Sequence, residues 1–142
     1  MFRPTSHSRC GRLLIGAALI LVAVALAVPT NAAEPSANTT ALTIDYGDGV
    51  QKHFPRLAWK ESMTVLDAMQ AAQDHPRGIT FRYRGRGATA FLVQIDDLEN
   101  QGRDRNWLYR INGKLADRSF AVQTVQPKDQ ITWEFGQPYQ EK

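Results

Sequence analysis

The sequence predicts an α+β fold, short strands packed on one helix, preceded by a signal peptide. Three observations predict it. Apolar residues alternate with polar ones in several separate short runs, while a single run has helical spacing, so strands outnumber helices. Asn112-Gly113 stands between two alternating runs as the turn of a tight hairpin, because these residues take positive φ at least cost. At the start, Arg3, Arg9 and Arg12 precede an apolar run from Leu13 to Val28, broken by Pro29 and followed by Asn31, Ala32 and Ala33. That is the order of a secretory leader.

The apolar run is shorter than the ~20 residues of a bilayer-spanning helix. Residues 1–33 are therefore expected to be cleaved, with an uncleaved anchor as the alternative and the only route to a membrane. The single cysteine, Cys10, stands before the run, whereas a lipid-bearing cysteine would follow it. Export places residues 34–142 in the periplasm or outside the cell, with no cysteine left for a disulfide.

Charge excludes one class of partner. The chain has 17 Lys+Arg against 14 Asp+Glu, and the leader holds three arginines and no acid, so the remainder is balanced. The pI near 9.2 belongs to the leader. Nothing in it supports a phosphate-binding surface, and nucleic acid is not an expected partner.

Residues 34–40, rich in Ser, Asn, Thr and Pro, read as a linker, and one domain occupies 41–136 before a short tail at 137–142. Leu42, Ile44 and Tyr46 alternate, Gly47-Asp48-Gly49 turns, and Val50 to Leu57 returns as the second strand of a hairpin. Thr64 suits a helix N-cap with Asp67 three residues on, Pro76 closes the segment, and Val65, Leu66, Met69 and Ala72 form the apolar stripe. His75 beside the helix end fits a charge complement better than a catalytic base.

Ile79, Phe81 and Tyr83 alternate next, Gly85-Arg86-Gly87 turns the chain, and Ala88 to Ile95 follows with Phe91, Val93 and Ile95 on one side. Two Arg-Gly repeats inside a hairpin are too few for an RNA-binding segment. Asp96-Asp97 fits a turn better than an acid–base or cation-holding pair. Asn100 to Asn106 is the longest loop, carrying Arg103 and Arg105 toward Trp107.

TVLDAMQAA at 64–72, the Ile95-Asp96 strand end, WLYRINGK at 107–114 and KDQITWEF at 128–135 occur in an order that resembles the transcobalamin C-terminal-like domain of secreted bacterial proteins. The resemblance implies a β-grasp-like fold, a small mixed sheet curled around one helix. In vertebrate cobalamin carriers such a domain closes over a corrinoid held by a larger helical domain, which implies a small-ligand lid. The chain departs from the family pattern at Asp117-Arg118-Ser119, where glycines are often found, and at Gln126-Pro127, both in loops that a ligand would use.

Function is expected to be binding without catalysis. The leading expectation is a module whose strand edge or hairpin docks an envelope or secreted protein; the alternative is a small-ligand site, a corrinoid included. Either would use Trp107, Tyr109, Arg110, Asn112 and Lys114, the aromatics offering flat faces if they do not turn into the core. No nucleophile elbow, phosphate loop or zinc-protease motif is present, no motif identifies a cofactor, and His53 and His75 are too sparse for a closed metal site.

Overall fold

The computed structural model describes residues 38–137; the leader and most of the linker and of the C-terminal tail lie outside them. The elements run β1 (Thr39–Asp45), β2 (Gln51–Ala58), α1 (Val65–Gln73), β3 (Phe81–Arg84), a 3-10 turn (Gly87–Thr89), β4 (Phe91–Ile95), β5 (Leu98–Glu99), β6 (Asn106–Ile111), β7 (Lys114–Leu115) and β8 (Gln130–Gly136). Five strands form a mixed sheet in the order β2-β1-β8-β6-β7, and β3-β4-β5 form a second, smaller sheet. The first and last strands, β1 and β8, lie parallel at its centre, with antiparallel neighbours on either side. One helix packed on such a sheet is the α+β, β-grasp-like architecture that the sequence predicts.

The core follows from strand alternation. Leu42 and Ile44 of β1, Trp107 and Tyr109 of β6, and Ile131, Trp133 and Phe135 of β8 all point to one face and are buried. Register aligns Ile44 with Trp133 and Trp133 with Tyr109, a row across the three central strands. Below them lies α1. Its N-cap Thr64 accepts from the Asp67 N–H, and the Asp67 carboxylate accepts from the Thr64 N–H, so the capping box reads as the sequence predicts.

Three details differ from the sequence reading. Thr39 and Thr40, assigned to the linker, open β1: Thr40 is buried, and its hydroxyl donates to the Asp129 carbonyl at 2.7 Å. Polar composition hid a strand whose partner lies far along the chain. In α1 the buried stripe is Val65, Ala68, Met69 and Ala72, and Leu66 is half-buried at its margin. Alanine carries little weight in an apolar pattern, which drew the stripe one position too far round. In β4, Leu92 joins Val93 and Ile95 in the interior while Phe91 stays exposed. An extra residue, Val93, opposite the Arg82–Tyr83 step is the cause, since it breaks the period of two that strand reading assumes.

The Asn112-Gly113 turn is as predicted. Ile111 pairs with Lys114, and the two central residues have φ of 50° and 81°. Gly113→Val should therefore cost about 1–2 kcal/mol, the strain of a β-branched residue in the left-handed region, read as a shift in the urea midpoint at unchanged slope.

Asp96, at φ 48° in the β4–β5 turn, ties the two sheets together. Its carboxylate accepts from the Tyr46 hydroxyl, from Lys52 Nζ at 2.9 Å and from the Thr80 N–H at 2.8 Å. Burial alone would raise its pKa, but these donors win and hold it below the usual carboxylate range. A depressed folded-state pKa contributes stability that is complete above the ordinary value of 3.8 and is lost as pH falls through the folded value. Asp96→Asn should cost about 1.5 kcal/mol at neutral pH, the low end for bonds to a charged group because solvent screens Lys52. Urea melts repeated toward acid pH should then show a flatter decline than the wild type.

Candidate functional site: an aromatic cleft

A cleft of about 360 Å³ opens between β4, the β6–β7 hairpin and the segment from Ala116 to Phe120. The alternation of β6 sends Trp107 and Tyr109 inward, where they form the inner wall with Trp133, Phe120 and Leu92. The rings support one another: Tyr109 lies 4.9 Å from Trp133, and Phe120 stands edge-on to Trp133 at 5.5 Å. Phe91, 53% exposed, and Leu115, 37% exposed, form an apolar rim.

Polar groups in the wall are fixed by backbone partners. The Trp107 indole donates to the Leu98 carbonyl at 2.9 Å, and the Tyr109 hydroxyl donates to the Arg118 carbonyl at 2.6 Å. Burial, with the Asp117 charge as a smaller contribution, pushes the Tyr109 phenol up to about 12, so it stays a neutral donor. Among the described residues, the Trp133 indole nitrogen is the buried side-chain atom without a hydrogen-bond partner. Such an orphan is uncommon in a native core.

The five site residues expected from the sequence do not converge. Trp107 and Tyr109 are 6% and 7% exposed, so they face the core and reach the cleft only as its inner wall. Arg110 turns to the opposite face and pairs with Glu134 at 3.3 Å. Asn112 is structural: its amide donates to the Asp129 carboxylate at 2.8 Å and its oxygen accepts from the Gln130 N–H at 2.9 Å, pinning the hairpin tip to β8. Lys114 is exposed near the tip, away from the cleft lining. Trp133, Phe120, Leu92 and Phe91 were missed because their convergence depends on sheet order and on the β3–β4 bulge. The one advance signal was Asp117-Arg118-Ser119, since Arg118 and Ser119 line the cleft.

The Asn100–Asn106 loop is occupied with structure at Arg105. Its guanidinium donates to the Phe135 carbonyl at 3.0 Å and lies over the Phe135 ring at 4.7 Å. It also reaches the carbonyl of Gly47, where φ is 72° and a Cβ would meet that guanidinium at 2.3 Å. Only glycine fits there. A larger hollow of about 570 Å³ adjoins Tyr46, Lys52, Thr80 and Asp96. Its bulk is a weaker claim than the smaller cleft's chemistry, because Tyr46, Lys52 and Thr80 already donate to the Asp96 carboxylate in its wall. Among the described residues, no three His, Cys, Asp or Glu side chains group closely enough to hold a metal ion.

The chain belongs to the family described as Domain of unknown function (DUF4430), whose model matches residues 62–137. That span takes in α1 and every element after it, including the whole cleft. Among solved structures, a candidate metal binding protein from Ruminococcus gnavus ATCC 29149 is similar, with a TM-score of 0.55 at 13% identity over 72% of this chain and 99% of the other. At that identity the likeness is one of fold. None of the curated proteins matches the chain.

Proposed function

We propose that this protein is a non-catalytic binding module, exported by its leader, that holds a small ligand in the aromatic cleft. One observation carries the reading: a preformed concave site of about 360 Å³, walled by aromatic rings, that retains an unpaired buried indole donor. Its volume falls at the small end of the ~300–1,000 Å³ range of ligand pockets. A corrinoid could only lie across its mouth. Catalysis has little support: the Ser119 hydroxyl is spent on the Ala90 carbonyl, and His53 and His75 bond to Thr43 and to the Arg77 N–H.

Kinship with transcobalamin C-terminal-like domains is part of this proposal, supported by the shared order of hairpin, capped helix and Asn-Gly hairpin. The neighbour's name raises metal capture as another reading, for which the described residues offer no ligand cluster. Docking of an envelope or secreted protein draws on the apolar rim of Phe91 and Leu115, which a partner would cover. We rank it second because a flat docking patch would not need the hollow behind that rim.

The test is to purify the protein from the compartment into which it is exported, denature it, and identify by mass spectrometry what it releases. A small molecule should appear from the wild type and be absent from Ala116→Trp, which fills the cleft from its half-buried wall. Recovery of a stoichiometric protein partner with no small molecule would overturn the reading. N-terminal sequencing of the same material should begin near Glu34; Met1 retained would overturn the cleavage of the leader.

A further inference from the structure

The cleft's own hydrogen bonding defines the chemistry of what fills it. Asn100 donates to the Leu92 carbonyl at 2.7 Å and accepts from the Trp107 N–H at 2.8 Å. Ser119 donates to the Ala90 carbonyl and accepts from the Ala121 N–H. With Trp107 and Tyr109 also bonded, two side chains of the lining lack partners among the described residues: the Trp133 indole N–H and the Arg118 guanidinium. Both are donors. Arg118 is the single charged residue of the lining, and it is exposed.

This asymmetry discriminates among ligands. A hydrocarbon would desolvate Arg118 without giving it an acceptor, which costs binding energy. A cation would meet Arg118 with like charge. An apolar acid resolves both conflicts, since a carboxylate matches the planar fork of a guanidinium with two charge-assisted bonds. Its body would cover Phe91, Leu92, Leu115 and Phe120.

We propose that the ligand is a small apolar carboxylate, its anionic head on Arg118 and its body in the aromatic cleft. This rests on the cleft being the binding site. The class includes ring-bearing and short branched acids. It excludes amines, metal ions and uncharged hydrocarbons.

The test uses two probes of one shape, 2-naphthoate and its uncharged amide 2-naphthamide, titrated into the isotope-labelled protein while the three indole N–H signals are followed. Trp59, whose indole donates to the Val125 carbonyl away from the cleft, is the internal control. Both probes should move the Trp107 and Trp133 signals and leave Trp59 in place. The acid should bind about tenfold more tightly, as expected of a charge-assisted pair at a partly exposed site. Arg118→Gln should erase that ratio without unfolding the domain, since the side chain is exposed, and Arg118→Lys should restore part of it. Equal binding of acid and amide, or a ratio that survives Arg118→Gln, would overturn the acid assignment and leave the cleft standing. Indole signals that move with neither probe would overturn both.

Discussion

Trp107→Ala should destabilise the domain by about 3–5 kcal/mol in urea denaturation, the range for emptying a large aromatic site. That is a large fraction of the ~5–15 kcal/mol that holds a typical domain together. The ring is 6% exposed and packs at 5.2 Å from Phe135 and 5.8 Å from Tyr46, so truncation leaves a cavity between β1, β6 and β8. It also strands the Leu98 carbonyl, which loses the indole donor. Lys114→Glu, across the Asn112-Gly113 turn on the other strand of the same hairpin, should change stability by less than ~0.5 kcal/mol, because an exposed side chain with no ion pair among the described residues has little to lose. Together the variants separate the hairpin's two ends. If Trp107→Ala leaves the urea midpoint in place, the ring is a free surface and the cleft wall is misassigned.

That pair also shows where the sequence was legible. The WLYRINGK run disclosed a hairpin because its turn chemistry and its alternation are local, and both survive into the structure. It did not disclose which way the rings face. Alternation says that Trp107 and Tyr109 share a face; only the position of β6 beside β8 makes that face the interior. The same limit applies to Trp133, whose place opposite Tyr109 is a register between segments that the sequence separates by two turns and a loop. Arg118 was noticed through a departure from a family pattern, and its place in the cleft lining needed Ala90 to Leu92 brought beside it. Local chemistry is written in neighbouring residues, whereas a concave site is written in pairings between distant ones.

The helix provides the sharpest check on packing. Met69→Ala should cost about 2–5 kcal/mol, and Leu66→Ala about 1 kcal/mol, although both residues belong to the apolar pattern of the sequence. Met69 is fully buried, at the centre of a face completed by Val65, Ala68 and Ala72, which recur at spacings of three and four. Ala68 and Ala72 are buried beside it, so truncating Met69 leaves a space in a close-packed interior. Leu66 lies about 100° round the helix from Val65, half-buried against the core's margin, and solvent already meets part of the surface that truncation would uncover. Urea melts of the two variants decide the matter. Equal losses would mean that the helix is rotated toward Leu66, and the register of α1 on the sheet would then have to change with it.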